Sequence, residues 1–422
     1  MKKINLAISL TSVALLLSVI FISCQKHNPK TAETVNQQPT LPSMPDDYTS
    51  KHGVNSDLAT LGRVLFYDRN LSTNNAVSCG SCHKQEFAFA DNVQFNKGFN
   101  GLDLKRNSPS IQGIRGFSGQ ITPVMLGNGT STIGLEGTQP DKTNQTPVLL
   151  FWDGRQNNVS DMVLNPVLNH KEMNMPDFET LVNKLSNISY YPDLFRKAFG
   201  ETTVTKEKIA FALEGFVACL NTNVNTVMGN NNGTSDFENV NVNQNGFNGQ
   251  FGANGFEGFE SFPLDLSNLS PLEAQGKILF HNKYNCAKCH DPSNSSSYGV
   301  ATSPTQMFNI GLDEVYTDNG LGAITKKAGD QGLFKVPTLK NISVTAPYMH
   351  DGRFSNLGEV LDHYSHNIKP NKNLSGQFVN FDGTPKKLNI LPTEKSALIA
   401  FLNTLKDDDF LTSAMYSDPF KK

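Results

Sequence analysis

Cys79-Gly80-Ser81-Cys82-His83 and Cys286-Ala287-Lys288-Cys289-His290 are the stretches on which the reading of this chain turns. In each, two residues between the cysteines bring both sulfurs to the two vinyl positions of one porphyrin face, and the adjacent imidazole points at the iron. The pattern reads as covalent attachment of a c-type haem, with His83 and His290 as proximal iron ligands and Cys79, Cys82, Cys286 and Cys289 as the thioether positions. A bare Cys-x-x-Cys also suits half a zinc site or a redox dithiol, but the trailing His in both copies argues against these.

Outward from the pentads the chain repeats itself. Leu61-Gly62-Arg63-Val64-Leu65-Phe66 precedes the first and Gln275-Gly276-Lys277-Ile278-Leu279-Phe280 the second, each a helix with a Gly, a basic residue and an apolar triplet. Ser270-Pro271-Leu272-Glu273 is a capping box with Pro at the first helical position. A helix running into such a pentad is the opening of a cytochrome c fold. Downstream, Asn107-Ser108-Pro109-Ser110-Ile111 leads to Phe151-Trp152-Asp153-Gly154-Arg155, and Lys335-Val336-Pro337-Thr338-Leu339 leads to Met349-His350-Asp351-Gly352-Arg353. Each Asp-Gly-Arg turn opens a helix, expected over Val159–Leu168 and Leu357–His363. The expected fold is mainly α: two cytochrome c-like haem domains in tandem, with extensive loops. Residues 51–220 form the first domain and 263–422 the second, whose last segment is free to pack back on the first. Between them, residues 221–262, rich in Asn, Gly and Phe, cannot form a packed element alone and read as a linker or surface insertion.

The N-terminus addresses compartment. Lys2 and Lys3, the apolar run Leu6–Ile22 and Ser23-Cys24 have the order of a secretory signal over residues 1–23. A Cys directly after the small residue resembles a lipobox, so Cys24 is the expected lipidated first residue. An uncleaved membrane anchor is the competing reading. Residues 24–50, rich in Thr, Pro, Asn and Gln, read as a flexible tether. The expected location is the periplasm or cell envelope, lipid-anchored, with the membrane touched only through that anchor. Of six cysteines, one is assigned to lipid and four to haem, and Cys219 sits in an apolar helical stretch as a core thiol, so none remains for disulfides. Loss of Lys2 and Lys3 makes the mature chain two charges more negative than the −3 of the full sequence. With no long basic run, nucleic acid is not an expected partner.

The chemistry turns on what faces each iron opposite its His. The offset that carries Asp153 onto Asp351 carries Pro166 onto Tyr364. A phenol oxygen can ligate ferric iron, whereas Pro has no donor, so the second haem reads as filled and the first as open. Tyr364 competes for that role with His363, His366, Met349 and with ordinary aromatic packing. Glu172 follows Pro166; over an open haem its carboxylate would take a proton from peroxide and return it to the leaving oxygen, and in a polar loop it would be a solvated charge. Trp152, the single tryptophan, heads its turn as an inter-haem relay or a packing residue.

Together these motifs, with Arg106-Asn107-Ser108-Pro109 and the run from Phe334 to Arg353, resemble the bacterial di-haem cytochrome c peroxidase family, including its MauG-like branch. The resemblance implies that Trp152 is the inter-haem tryptophan, Glu172 the distal acid of the peroxidatic haem and Pro166 a distal-pocket proline. It also implies a Ca²⁺ ion held by Asn107 and by the backbone carbonyls of Thr345 and Pro347. Two departures stand out. The position of the family's blocking His is Phe99, and no His lies between His83 and His170. The usual Met ligand of the electron-transferring haem falls on Tyr364, as in the MauG-like branch. A smaller departure is Met162, where a distal-pocket Gln is common. The expected activity is reduction of hydrogen peroxide to water with electrons from a small redox protein of cytochrome c or cupredoxin type, the peroxidatic haem being open at rest. The alternative is a MauG-like enzyme that oxidises residues of a partner protein by long-range electron transfer. A non-enzymatic di-haem electron carrier is the third reading.

Overall fold

Asn55 starts the helix that precedes the first pentad: its side chain accepts a hydrogen bond from the Leu58 N–H at 2.9 Å, and the helix runs Ser56–Tyr67. Leu58, Leu61, Val64 and Leu65 along it are fully buried. It crosses the helix Lys206–Cys219 at Gly62, where an added Cβ would lie 1.9 Å from the Ala212 carbonyl oxygen and 2.8 Å from the Phe216 Cβ. The second pentad has a matching support. The capping box of Ser270 and Glu273 starts the helix Pro271–Ile278, which crosses Pro392–Asn403 at Gly276. A Cβ there would lie 1.9 Å from the Ala397 carbonyl oxygen and 2.8 Å from the Phe401 Cβ. At both crossings the backbones touch, which only Gly permits.

The computed structural model describes residues 48–114, 122–125, 131–134, 149–220, 266–290 and 307–421. The expected signal segment, Cys24 and the Asn/Gly-rich segment 221–262 lie outside these residues. The fold is mainly helical, with helices Val159–Leu168, Phe178–Ser186 and Tyr191–Phe199 beside the first crossing and Leu357–Asp362 beside the second. Sheet among the described residues is confined to two antiparallel pairs, Thr122–Met125 with Ser131–Gly134 and Met307–Phe308 with Phe334–Lys335. Buried apolar side chains gather in two cores, one around Leu61, Phe66 and Phe216 and one around Phe280, Leu398 and Phe401.

The two Asp-Gly-Arg turns share one geometry. Gly154 and Gly352 have φ of +67° and +61°, and Phe151 and Met349 stand at +64° and +75°. Leu150 N–H donates to the Gln156 carbonyl, as Tyr348 N–H does to that of Phe354. The helix after the first turn has the expected bounds; the second ends at Asp362 and continues as a wide π-type turn, His363–Asn367.

The tether expected to reach residue 50 ends earlier. Tyr48–His52 is helical, and Tyr48 is fully buried in the first core with its hydroxyl donating to the Met415 carbonyl. Phe410, Leu411 and Tyr416 join that same core from the far end of the chain. Arg63 Nε donates to the Ser417 carbonyl at 2.7 Å, and Gln85 Nε2 to that of Ser413 at 2.8 Å. Cys219 is a buried thiol bonded to the Gly215 carbonyl.

Gly276→Ala is expected to lower stability by about 2 kcal/mol or more, because the clash is with backbone that cannot rotate away. A urea midpoint unchanged from wild type would contradict the close crossing.

Candidate haem-binding cavity

Each pentad begins where a helix has delivered the chain to a cavity wall. After the helix Ser56–Tyr67, Ser78 caps the short helix Cys79–Cys82, and His83 follows as its C-cap. His83 Nδ1–H donates to the Phe89 carbonyl at 2.8 Å and His290 Nδ1–H to that of Pro337 at 3.2 Å. These bonds fix the tautomer and leave Nε2 as the unprotonated donor atom. Burial lowers both imidazole pKa values, that of His290 to about 4, so each ring is neutral at ordinary pH.

Cys79, Cys82 and His83 line one cavity of about 830 Å³, and Cys286, Cys289 and His290 line it too. The four thiols form no disulfide. Burial pushes the pKa of Cys79, Cys82 and Cys286 up to about 12 and raises that of Cys289. A redox dithiol needs a lowered pKa, and zinc ligands need to converge as thiolates. Neutral thiols beside a neutral imidazole, on an apolar wall that includes Phe66, Val163, Phe280 and Leu361, fit a covalently held haem instead.

The lining near the two pentads differs. All of Pro166, Met162, Glu172, Tyr364 and Phe378 line the cavity; Glu172 acts electrostatically on Cys79 and Cys82, whereas Tyr364, stacked on Phe378, is acted on by Cys286 and Cys289. Pro166 sits within its helix and presents a ring with no donor. The π-type turn at His363–Asn367 carries Tyr364 to the cavity, and burial raises its phenol pKa. Two of its competitors are elsewhere: His363 Nε2 is bonded to the Ile310 carbonyl at 2.9 Å, and His366 is exposed on the surface. Met349 does line the cavity.

Glu172 is half-buried and not a freely solvated charge. Asn169 Nδ2 donates to its Oε1 at 2.7 Å, and burial raises its pKa against the opposing pull of Arg155. The loop around Phe99 closes over its backbone: Phe99 N–H donates to the Glu172 carbonyl at 2.8 Å, and a Cβ on Gly98 would lie 1.8 Å from the Lys171 carbonyl oxygen.

Trp152 lines the cavity with both histidines; its Nε1–H donates to the Asn107 carbonyl at 2.9 Å, and its own carbonyl accepts from Lys335 N–H at 2.9 Å. Asn107, Thr345 and Pro347 line the same cavity. Asn107 Nδ2 donates to the Val93 carbonyl at 3.0 Å, and Asn107 N–H to that of His350 at 2.8 Å. Among the described residues no three His, Cys, Asp or Glu side chains converge as a metal site.

Three features escape sequence reasoning. Arg106 binds Asp318 through Nε and Nη2 at 2.6 and 2.8 Å and Asp153 through Nη1 at 2.6 Å, joining the two halves of the chain. Gln112 Nε2 donates to the Lys340 carbonyl at 2.6 Å and its Oε1 accepts from Asn341 at 2.8 Å. Lys335 lines the cavity, and burial lowers its pKa to about 8. Arg106 and Lys335 carried a signal, each standing in a quoted motif; Gln112 carried none.

Comparison with known proteins agrees with this geometry. Residues 56–242 match the family model of the di-haem cytochrome c peroxidases. The methylamine utilization protein MauG of Methylophilus methylotrophus is 25% identical over 350 residues, 82% of each chain. The cytochrome c551 peroxidase of Nitrosomonas europaea is 25% identical over 358 residues, 84% of this chain and 81% of its own. Among solved structures, a MauG-like protein associated with microbial copper homeostasis superposes with a TM-score of 0.62 at 24% identity, over 91% of this chain and 97% of its own. The diheme peroxidase BthA of Burkholderia thailandensis does so at 0.53 and 18%, over 86% and 90%. These two establish the fold. The chain is thus similar to di-haem cytochrome c peroxidases and MauG proteins along most of its length, and residues 56–242 carry that family's pattern.

Replacing Cys79 and Cys82 together by Ala is expected to leave one covalently held haem per chain where the parent carries two. The alkaline pyridine spectrum after acid-acetone extraction measures this; a parent holding fewer than two, or a variant retaining two, would refute the assignment.

Proposed function

We propose that the chain reduces hydrogen peroxide at the site beside Cys79–His83 and passes electrons to it from the site beside Cys286–His290. The observation that carries this reading is the unequal lining of one cavity: Glu172 acts on Cys79 and Cys82 and Tyr364 lies by Cys286 and Cys289, while Pro166, which also lines it, has no donor. When bound, haem would supply the redox chemistry that splits peroxide at the site beside Cys79–His83 and electron transfer at the site beside Cys286–His290. The rest is work for the chain's own residues. His83 and His290 present Nε2 as proximal ligands, each oriented by a backbone carbonyl. Pro166 and Met162 leave room above the first site, and Glu172 takes the peroxide proton and returns it to the departing oxygen. Trp152 relays electrons between the sites. Tyr364 closes the second site, and Asn107, with the carbonyls of Thr345 and Pro347, holds a structural Ca²⁺.

The two halves are proposed to be copies of one cytochrome c-like unit. The recurring Gly crossing, the recurring Asp-Gly-Arg turn and the two separate cores support that. The electron donor is a small cytochrome c or cupredoxin. Cys24 is proposed as a lipid anchor in the cell envelope. The MauG-like alternative, oxidation of a partner protein, is favoured by one observation, the presence of Tyr364 on the cavity wall.

Glu172→Gln is expected to lower kcat/KM for peroxide by about 10²–10⁴-fold, the usual contribution of a positioned acid–base group. The carboxylate must be ionised to accept a proton, so activity falls as pH drops through its pKa. Because that pKa is raised, the wild-type acid limb lies above the ordinary Glu value of about 4.3, and it disappears in the Gln variant. Steady-state rates against pH, with a reduced cytochrome as donor, decide this; an identical acid limb in both proteins would remove Glu172 from proton transfer.

The resting EPR spectrum is expected to contain one high-spin and one low-spin haem signal, with only the low-spin signal altered in Tyr364→His. An unchanged low-spin signal would remove Tyr364 as the second site's ligand.

A further inference from the structure

A run of buried aromatic rings leads away from the first pentad. It begins at Phe89, whose carbonyl holds the His83 imidazole, and whose ring centroid lies 5.6 Å from that of Phe410. Phe410 lies 5.2 Å from Tyr416. Phe89, Phe410 and Tyr416 are all buried. Tyr416 ends the run at a titratable partner: its hydroxyl stands 2.8 Å from Nε2 of the half-buried His52. A second link holds Tyr416 in place, for Tyr67 OH donates to its carbonyl at 2.7 Å, and the Tyr67 ring lies against Gly80, inside the pentad itself. Burial and the neighbouring Lys51 lower the His52 pKa to about 4, so at neutral pH its ring is unprotonated and able to accept the phenolic proton.

A buried phenol is hard to oxidise alone, because losing an electron would leave a cation in an apolar core. With a neutral imidazole at hydrogen-bond distance the proton leaves with the electron, and no net charge is added where the phenol stood. We propose that Tyr416 and His52 form a redox-active pair, a second exit through which an oxidising equivalent made by peroxide at the first site reaches the protein surface. Hydrogen peroxide supplies two oxidising equivalents, and Tyr416 answers one of them. The phenol gives up one electron through Phe410 and Phe89, and its O–H proton moves to His52 Nε2. The products are a neutral phenoxyl radical and an imidazolium at the half-exposed His52. A small external one-electron reductant then restores the phenol as the proton returns from His52.

This inference rests on the peroxidatic reading of the first site, and the test separates the two. Full-length, haem-loaded protein is mixed with one equivalent of hydrogen peroxide without a donor, followed optically, frozen and examined by EPR. An organic radical is expected whose line narrows when the protein carries ring-deuterated tyrosine and which is lost in Tyr416→Phe. That variant keeps the ring and every backbone contact. In His52→Gln, whose side chain can accept a hydrogen bond but not a proton, the radical yield falls several-fold while the optical response to peroxide persists. A radical that survives in Tyr416→Phe, or none in wild type although the optical spectrum responds, overturns the pair alone. An optical spectrum indifferent to peroxide overturns the peroxidatic reading, and with it the source of the oxidising equivalent.

Discussion

Two contacts between backbones, Gly62 on Ala212 and Gly276 on Ala397, set the dimensions of everything around them. A side chain larger than hydrogen at either position would hold the two helices of its crossing apart. The helix of Gly62 carries Phe66 to the cavity, the π-type turn Leu279–Lys283 that continues the helix of Gly276 carries Phe280, and each is followed by its pentad. The partner helices supply Phe216 and Phe401, which seal the back of each core. The crossing distance therefore becomes the distance from helix to cavity wall. Interiors packed at crystal-like density pass such a displacement on and do not absorb it.

On that frame, burial does most of the chemical tuning. It keeps the imidazoles of His83 and His290 neutral and the pentad thiols protonated, and it raises the carboxyl of Glu172. One cause thus acts in opposite directions on groups whose charged forms have opposite sign. The asymmetry between the two ends of the cavity has another origin. It comes from Pro166 and Tyr364, one ring without a donor and one with a phenol, on local backbones that also differ, α-helical at the first and π-type at the second.

Much of this was legible in the sequence because it is local. The pentads, the Ser270–Glu273 capping box and the helix Val159–Leu168 depend on neighbours within a turn or two, and they stand where the sequence puts them. What was not legible depends on distant partners. The Arg106 bridge to Asp318 and the Gln112 pair with Asn341 join residues from opposite halves of the chain. The exclusion of His363 follows from a carbonyl at Ile310, far away in sequence. The early end of the tether belongs here too: Tyr48 looks like one aromatic in a polar tail until the Met415 carbonyl and the first core are known. Lys335 stands in a quoted repeat motif with no role assigned, and only the tertiary fold shows it on the cavity wall.

The return of the C-terminal segment has a consequence for the order of events in the cell. The first core is closed by Phe410, Leu411 and Tyr416, and Arg63 and Gln85 wait for carbonyls at Ser417 and Ser413. A chain made from its N-terminus has the earlier pentad long before it has these partners, and contacts of such sequence separation form late because their loop-closure entropy comes first. The second core, drawn from Leu279 to Leu405, needs nothing from the first half's apolar residues. The first core is therefore complete only when residues 410–417 are in place, whereas the second closes with residues of its own half alone.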